Sequence, residues 1–412
     1  MSNQHENVHT CSCRIDKSGV PGLEFSMLYI ENATLLTDGR ALRNGAMVLE
    51  DGKILAAGPA TGLPVPASAK RIDAKGAYLA PGFFDLQLNG GFGLDFTQDP
   101  CTIWEVATKL PYYGVTSFLP TIITSPMEKF SEAIEVLRAG PPPGFCGAVP
   151  LGLHFEGPFL NPQKKGAHNP DYLCLPSLEL VNDWTAANLV RLVTLAPEMP
   201  GALETIRALR AQGVVVSAGH SMATFEEGLA GLGAGITMGT HLFNAMRTFE
   251  HREPGLVGAL GALPNTEVGL IPDGVHIHPI VVAAAWQIFG WRRIALVTDA
   301  MAAMGMPPGE YVLGGQKVIV DDAAPRLQNG TLAGSILTMD AGVRNLITFT
   351  GCPPAEAIYS ASRTPARALG FQDRGRLTHG CHADFVILDE NFHIEKVYIR
   401  GELVFESKRR EN

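Results

Sequence analysis

The stretch GVVVSAGHS, residues 213–221, decides the fold because it joins a continuous apolar run to a polar end. Consecutive valines without polar alternation are typical of a strand in a parallel sheet that is buried on both faces. RIALVT, residues 293–298, repeats this pattern and also runs into a polar residue, Asp299. Helical patterns lie between such runs, for example at 202–211 and 279–289. The chain is therefore predicted to alternate strands and helices around a parallel sheet.

Eight strand candidates of this kind lie in the middle of the chain, and the segment that holds them is long enough for a barrel. Eight βα units predict a (β/α)8 TIM barrel at 81–375. An open doubly wound sheet is the alternative, but no GxGxxG glycine pattern follows the first strand. The candidates are 83–88, 115–120, 149–155, 191–196, 213–218, 235–240, 267–272 and 294–298.

The sequence pattern near both ends of the chain differs from that of the middle. Residues 26–58 and 383–406 are short alternating runs, punctuated by Asp-Gly pairs or by Arg400-Gly401. Such pairs are hairpin turn signals. The two ends are predicted to meet in one small β-sandwich domain, made of residues 25–80 and 376–412. Residues 1–24 are predicted to be a polar, disordered leader, and a metal-binding role for its Cys11-x-Cys13 pair is the less favoured alternative.

Composition limits the partners and the compartment. The 412 residues carry a net charge of −9, so no basic field exists for nucleic acid or an anionic membrane surface. The seven cysteines are an odd, scattered set, which favours a reducing compartment over a disulfide framework. No stretch of the chain reaches the roughly 18 consecutive apolar residues that would predict a membrane helix. The protein is predicted to be cytoplasmic, with a small-molecule substrate whose phosphate, if present, must be held by local positive charge.

Polar residues follow the predicted strands at the end where a TIM barrel carries its catalytic groups. A lone histidine after a strand is more often structural than catalytic, but so many coincidences predict a site. The third strand ends with His154 and Glu156, the fifth with His220, the sixth with His241 and the eighth with Asp299, while Asp273 and His276 follow the seventh.

The chemistry that these residue types support is metal-assisted hydrolysis. Glu156, His220 and His241 supply the three nitrogen and oxygen ligands of an open catalytic zinc site. Asp299 would accept a proton from water and return it to the leaving amine. Period-2 alternation places His154 on the same strand face as Glu156, where it is either a partner of the ligands or a buried structural histidine.

Several further motifs, together with the polar strand ends, match the pattern of one known family. They are PGFFDLQLNGGFG (81–93), LGLHFEGPFLNPQKKGAHNP (151–170), TLAPE (194–198), THLFNAM (240–246), HREPGLVG (251–258), DGVH (273–276) and LAGSILTMD (332–340). Together they resemble the N-acetylglucosamine-6-phosphate deacetylase family of the amidohydrolase superfamily, from the start of the barrel to the closing β segment.

The resemblance implies a site that differs from the binuclear relatives. Those relatives carry two histidines after the first strand, whereas this chain has Gln87 and Asn89, neutral amides that bind metal poorly. It has Glu198 where the relatives have a bridging lysine. One divalent metal per subunit, with Zn²⁺ favoured, is therefore expected on Glu156, His220 and His241. The amides are expected to contact substrate instead.

The resemblance also implies roles in substrate binding. His168 is expected to polarise the acyl carbonyl. His276 and Arg252 are expected to hold a phosphate, the arginine reaching in from the neighbouring subunit of a homodimer. Asn244 and Ala245 are expected to make further sugar or phosphate contacts. Lys164 and Lys165 are read as a solvated charge pair, with attraction of an anionic sugar as the alternative.

The function implied is hydrolysis of N-acetyl-D-glucosamine 6-phosphate to D-glucosamine 6-phosphate and acetate, with Asp299 and His168 as the catalytic side chains. An N-acetylgalactosamine-6-phosphate deacetylase is one alternative. A catalytically silent binder of amino-sugar phosphates is another, motivated by Gln87 and Asn89. A cyclic amidase is disfavoured because the first-strand histidines and the bridging lysine are missing. Pro272 departs from the small residue more common there in the family.

Overall fold

The computed structural model describes residues 27–63, 65, 67–321 and 324–408. The predicted leader, with Cys11 and Cys13, lies outside the described residues. The described part begins with three antiparallel strands whose turns are Asp38-Gly39 and Asp51-Gly52, as the hairpin signals predict. The strands of this part are β1 (Leu28–Thr37), β2 (Arg40–Glu50), β3 (Lys53–Pro59), β4 (Lys70–Asp73) and β5 (Tyr78–Pro81).

The middle of the chain forms a parallel barrel, as predicted. Eight of its strands run in the order β6-β9-β11-β12-β13-β14-β15-β16, β10 extends the edge of β9, and β7 pairs with β8 in a separate hairpin. The strands are β6 (Phe83–Leu88), β7 (Gly90–Gly91), β8 (Leu94–Asp95), β9 (Val115–Ile123), β10 (Val149–Pro150), β11 (Leu153–Glu156), β12 (Val190–Leu195), β13 (Val215–Ala218), β14 (Met238–Gly239), β15 (Glu267–Leu270) and β16 (Ile294–Leu296).

Helices follow most barrel strands and pack against them. The start of α6 has two sequence signals: Pro279 is its first residue, and the His278 side chain accepts a hydrogen bond from the Ile280 amide. The helices are α1 (Ile103–Lys109), α2 (Met127–Ala139), α3 (Ala202–Ala211), α4 (Phe225–Ala234), α5 (Gly255–Ala262), α6 (Pro279–Phe289), α7 (Met339–Thr350) and α8 (Pro354–Ala368). Short 3-10 turns lie at Ala60–Gly62, Pro100–Thr102, Leu110–Tyr113, Pro162–Lys164 and Pro170–Tyr172. Among the described residues, no helix combines the length and apolar character that a bilayer-spanning segment requires.

An antiparallel insertion separates β16 from α7, and the sequence analysis does not predict it. Its strands are β17 (Gly309–Leu313), β18 (Gln316–Val320) and β19 (Pro325–Arg326). The chain ends in β20 (Phe385–Leu388), β21 (Ile394–Ile399) and β22 (Glu402–Glu406).

The two chain ends meet in one sheet of order β22-β21-β20-β5-β1-β2-β3, with β4 paired to β1. The joint is the antiparallel pairing of β20 with β5. Strands from both ends bury side chains in an apolar cluster of their own, which includes Ile30, Met47, Leu79 and Phe385. The prediction that both chain ends build a common β structure is confirmed, and that structure contains one continuous sheet.

The seam of the barrel lies between its last strand and its first. The two strands join just past the end of β16, where the Asp299 amide donates to Gln87 O at 2.9 Å and the Asn89 amide donates to Ala300 O at 2.8 Å. Below this point the buried Asp85 carboxylate accepts hydrogen bonds from the Thr298 hydroxyl and the Gln87 amide. Burial raises the pKa of Asp85 to about 7. The seam therefore fixes Asp299 directly beside Gln87 and Asn89.

Candidate active site

Three predicted metal ligands converge at the carboxyl ends of neighbouring strands. Glu156 ends β11, and His220 and His241 follow β13 and β14. Both histidine Nε2 atoms lie 3.1 Å from Glu156 Oε1 and 3.0 Å from each other. All three side chains are buried. Ligand atoms at about 2.0–2.1 Å from a tetrahedral zinc ion are roughly 3.3 Å apart, so the three atoms fit one such ion.

A neighbouring carbonyl group holds the His220 ring in an orientation suited to metal binding. His220 Nδ1 lies 2.8 Å from the Lys164 carbonyl oxygen, so Nδ1 carries the proton and the Nε2 lone pair faces the other ligands. The backbone φ is 50° at His220, 26° at His241 and 50° at Asp299, in the left-handed region that residues with a Cβ rarely adopt. Strain of this kind is typical of functional sites that the surrounding structure holds in place.

Electrostatics set distinct protonation states for two of the site's groups. Burial raises the pKa of Glu156, but the adjacent His220 and His241 rings outweigh it and keep the pKa well below its usual range. Burial, together with the nearby His220, lowers the pKa of His168 to about 3, so His168 is neutral. The Thr124 amide donates to His168 Nδ1 at 3.3 Å, which leaves the ring proton on Nε2. His168 can therefore donate a hydrogen bond to a carbonyl oxygen.

The amides after the first strand bind the site's carboxylates. Gln87 Nε2 donates to Glu156 Oε1 and to Asp299 Oδ1, both at 3.1 Å, and Asn89 Nδ2 donates to Asp299 Oδ1 at 2.8 Å. One Asp299 oxygen is thereby anchored, and the other is left for a reacting group. Two neutral donors in this place orient a proposed ligand and a proposed base. They therefore favour a site that is still catalytic but has its metal ligands on later strands and amides after β6, which we call the rebuilt site.

His154 lies deeper in the barrel than the ligands. Its Nδ1 lies 3.1 Å from the Thr121 hydroxyl and its Nε2 lies 2.8 Å from the Thr194 hydroxyl. Burial lowers the pKa of His154 to about 4, so the ring is neutral and both nitrogens are used within the barrel. Thr194 continues the chain to the Thr240 hydroxyl at 2.7 Å. These contacts favour the structural interpretation of His154.

Glu198, in the position of the missing bridging lysine, anchors the turn that carries His220. Its carboxylate accepts hydrogen bonds from Asn161 Nδ2 at 2.9 Å, the Ser221 hydroxyl at 2.7 Å and the Met222 amide at 2.6 Å. The two last residues follow His220 directly. Glu198 therefore helps to hold His220 in its strained backbone conformation.

Replacing Glu198 with Gln is expected to weaken metal binding by about 10- to 100-fold, the range for loss of a group that orients a ligand. The neutral Gln side chain lacks the negative charge that strengthens all three contacts, and its amide nitrogen must face one of the three donors. Metal affinity is measured by competition with a chromophoric chelator, with the exposed Glu179→Gln as control. Equal metal affinity in Glu198→Gln and the native protein would show that the turn does not depend on this carboxylate.

One cavity of about 590 Å³ contains most of the predicted site. That volume lies in the range of small-molecule sites. The predicted residues that line it are Glu156, His220, His241, Asp299, His168, Asn89, Asn244, Ala245, His276, Lys164 and Lys165. Lining residues to which the sequence analysis gave no role include Ile123, Ala167, Leu313, Arg326, Leu332 and Gly334.

Two predicted substrate contacts lie away from this cavity. Gln87 is occupied with Glu156 and Asp299, and Arg252 is exposed on the surface. His276 lines the cavity, and its Nδ1 lies 2.7 Å from Asp273 Oδ2, so the Nε2 atom is the one available to a substrate. Burial raises the pKa of Asp273, but the bonds from His276 and nearby amides lower it below its usual value overall.

The amidohydrolase family pattern matches residues 78–404, which span the barrel and the closing strands. The chain belongs to the amidohydrolase family. This family is metal-dependent, and among the described residues of this chain the cluster that could hold the metal is Glu156, His220 and His241. The resemblance stated from the motifs is confirmed.

Relatives within the amidohydrolase family agree on one kind of activity. An N-acetylglucosamine-6-phosphate deacetylase from Bos taurus is 40% identical over 393 residues, covering 90% of this chain and 95% of its own. An N-acetylgalactosamine-6-phosphate deacetylase from Escherichia coli O157:H7 is 38% identical, covering 90% and 97%. The solved structure of a mutant N-acetyl-D-glucosamine-6-phosphate deacetylase from Mycobacterium smegmatis, in complex with N-acetyl-D-glucosamine-6-phosphate, is 35% identical with a TM-score of 0.84, covering 92% and 99%.

Proposed function

We propose that this protein is a metal-dependent deacetylase that hydrolyses N-acetyl-D-glucosamine 6-phosphate to D-glucosamine 6-phosphate and acetate. One observation carries the proposal: a three-ligand cluster, a carboxylate base held by two amides and a neutral histidine all face one cavity. The curated and solved relatives point to the same amide bond. A cytoplasmic location, predicted from the scattered cysteines, is compatible with a phosphorylated sugar as substrate.

The metal is proposed to be a single Zn²⁺ ion per subunit on Glu156, His220 and His241. Iron, cobalt or manganese could bind to the same nitrogen and oxygen ligands. When bound, a divalent ion polarises the acyl carbonyl and lowers the pKa of water. The three ligand side chains supply one negative charge in total, so the site keeps a positive charge with which to stabilise a developing oxyanion.

The protein's own groups move the proton and orient the amide. The free oxygen of Asp299 takes a proton from the attacking water, then passes it to the amine as the C–N bond breaks. Gln87 and Asn89 fix the other oxygen, so Asp299 keeps one orientation through both transfers. His168 Nε2–H donates to the acyl oxygen, and a neutral imidazole suits this task because it keeps its proton.

The phosphate is proposed to bind at His276, Asn244 and the backbone of Ala245, with Arg252 supplied by a second subunit. His276 and Asn244 line the cavity, while Arg252 is exposed. An arginine that holds a substrate phosphate from outside its own cavity must come from a partner. Its planar guanidinium can hold a phosphate through two hydrogen bonds.

An exposed apolar face on α6 supports the homodimer. Ile280, Ala284 and Ile288 lie on the exposed face of α6 at four-residue spacing, with Ile280 70% exposed and Ile288 55% exposed. A Cβ on Gly261 of α5 would lie 4.0 Å from Ile288 Cγ2, so the two helices are neighbours. α5 begins three residues after Arg252. Exposed apolar faces of this kind mark interaction sites.

Replacing Arg252 with Ala is expected to raise KM for the phosphorylated sugar by at least about tenfold with a smaller effect on kcat, because a charge-assisted phosphate contact is lost. Steady-state kinetics and analytical ultracentrifugation check this together. Arg207→Ala, which removes another exposed arginine, is the control. A fully active monomer, or an unchanged KM in Arg252→Ala, would contradict the shared site.

The preferred sugar has one specific rival, because the Escherichia coli O157:H7 relative is named for N-acetylgalactosamine 6-phosphate. The two substrates differ in the configuration of one hydroxyl. Values of kcat/KM for the two phosphorylated sugars, and for N-acetylglucosamine without phosphate, decide among the candidates. The proposal predicts highest activity on N-acetylglucosamine 6-phosphate. A reversed preference would favour an N-acetylgalactosamine-6-phosphate deacetylase. Binding of the sugar phosphates without turnover would favour a catalytically silent binder.

A further inference from the structure

The cavity has one apolar wall, on the side opposite the proposed phosphate contacts. In the barrel order, β9 is four strands away from β14 in a barrel of eight strands, so the loops after them face each other across the mouth. Asn244 and Ala245 follow β14, and Ile123 ends β9. A sugar phosphate held at Asn244 and His276 therefore directs its amide, and the acyl group beyond it, toward Ile123.

The wall consists of Ile123, Ala167 and Leu313, which belong to one apolar cluster and line the cavity. All three are buried, with Ile123 and Leu313 each 3% exposed. Ile123 pairs with the ligand Glu156 in the register of β9 and β11. Ala167 precedes His168, whose ring is bound to Thr124, the residue after Ile123. The wall thus lies beside both groups that act on the carbonyl.

The insertion strands deliver Leu313 and hold it in place. Leu313 ends β17, and the turn that follows is bound on two sides. The Gly314 amide donates to Asp95 Oδ2 at 3.1 Å, and Gln316 Nε2 donates to the Ala167 carbonyl oxygen. A Cβ on Gly314 would lie 2.6 Å from Ile123 Cδ1, so the turn rests directly on that side chain. These contacts therefore fix the position of the wall, so it cannot easily shift to accommodate a larger group.

We propose that Ile123, Ala167 and Leu313 form the acyl pocket of the enzyme and limit the acyl group to acetyl, with Leu313 as the principal determinant. This inference rests on the proposed function and adds the specificity for the acid that is released. The carbonyl oxygen faces His168 and the ligand cluster, the nitrogen faces Asp299, and the acyl methyl contacts the apolar wall. Longer acyl chains meet Leu313.

A packed apolar pocket discriminates between chains by roughly 10- to 200-fold per methylene. The native protein is expected to lose kcat/KM by at least about tenfold for each carbon added, from N-acetyl to N-propionyl to N-butyryl glucosamine 6-phosphate. Leu313→Ala opens the pocket, so its butyryl-to-acetyl ratio of kcat/KM rises by at least about tenfold. Ala167→Val narrows the pocket, so its formyl-to-acetyl ratio rises instead.

The experiment measures acid release from the N-formyl, N-acetyl, N-propionyl and N-butyryl forms by the native protein and each variant. A ratio of two substrates on one preparation cancels the fraction of active protein, so partial misfolding of Leu313→Ala does not affect the result. The matched control is Leu332→Ala, which shortens another leucine of the same cavity outside the apolar cluster. It is expected to leave the acyl ratios unchanged.

The outcomes separate this inference from the proposed function. Opposite shifts in Leu313→Ala and Ala167→Val, with unchanged ratios in Leu332→Ala, support the acyl pocket. Normal acetate release by the native protein with unshifted ratios in both variants overturns the pocket and leaves the function standing. A shift in Leu332→Ala alone places the acyl group on the other side and also overturns it. No acid release by the native protein from any of these substrates overturns both.

Discussion

Asp299→Asn is expected to lower kcat for deacetylation by about a thousandfold, within the range that a positioned proton-transfer group contributes. The amide can still accept hydrogen bonds from Gln87 and Asn89 through one atom, so the shape of the site is kept. The atom facing the cavity can no longer take a proton from water. Acetate release gives kcat, and calorimetric titration with substrate tests whether binding survives.

The control for this variant is Asp183→Asn, which changes an exposed aspartate that does not line the cavity. It is expected to have native kinetics. An Asp299→Asn protein that keeps its kcat would mean that another group moves the proton. A variant that loses substrate binding in parallel with kcat would mean that Asp299 acts mainly in binding.

The pH profile tests the same role through the sign of its acid limb. Burial, together with the charge of Glu156, raises the pKa of Asp299 to about 6. A base must be ionised to act, so kcat/KM rises with pH through this pKa and levels off above it. The positive charge of a bound divalent ion lowers the pKa, so the limb lies at or below about pH 6. This limb should be absent from the residual activity of Asp299→Asn.

Glu156→Gln is the second change with a large expected effect. Glu156 is the anionic member of the proposed ligand set, and its Oε1 is also within 3.1 Å of both histidines. A neutral amide is a poor ligand, so metal affinity should fall by more than the roughly 100-fold loss that follows removal of a group that only orients a ligand. Activity at limiting metal should fall with it. Metal content after dialysis, measured by elemental analysis, is the direct readout.

Asn89→Ala is the informative comparison for that variant, because Asn89 contacts Asp299 and lies beside the same cavity. It is expected to retain one metal per chain while kcat falls. Full metal content in Glu156→Gln, or loss of metal in Asn89→Ala, would move the metal site toward the first strand. Either result would contradict the rebuilt arrangement of ligands and amides.

Most of the barrel is predictable because its signals are local. α3 and α6 have the predicted bounds of 202–211 and 279–289, since an apolar periodicity and, in α6, a proline start define them. Strand lengths are less well predicted. The sixth strand, predicted at 235–240, spans only Met238–Gly239, because Gly235 still forms the end of α4. The third candidate is divided at Leu151 and Gly152, where Gly152 has a φ of 139°.

The candidate site is predictable to the extent that strand ends must meet. Glu156, His220 and His241 converge because parallel barrel strands bring their carboxyl ends to one face. The task of Gln87 could not be inferred in this way, since its partners Glu156 and Asp299 come from distant strands. The sequence identifies Glu198 only as a departure from relatives, and its contacts with Ser221 and Met222 form only in the folded turn.

The insertion was missed although it had a signal. Gly314-Gly315 lies between two alternating runs, which is a typical hairpin pattern, and Gly314 adopts a φ of 53° there. What the sequence could not supply is the place where the hairpin rests. That place depends on Asp95 and Ala167, which are far away in the chain. The acyl pocket is therefore visible only in the folded protein.

The most direct test of the rebuilt single-metal site is a titration of chelator-stripped protein with Zn²⁺, followed by acetate release from N-acetylglucosamine 6-phosphate. The predicted result is a linear rise in activity that reaches its plateau at one equivalent of metal per chain, with none in stripped protein. A plateau that requires two equivalents, or activity that is independent of metal, would contradict the site built on Glu156, His220 and His241.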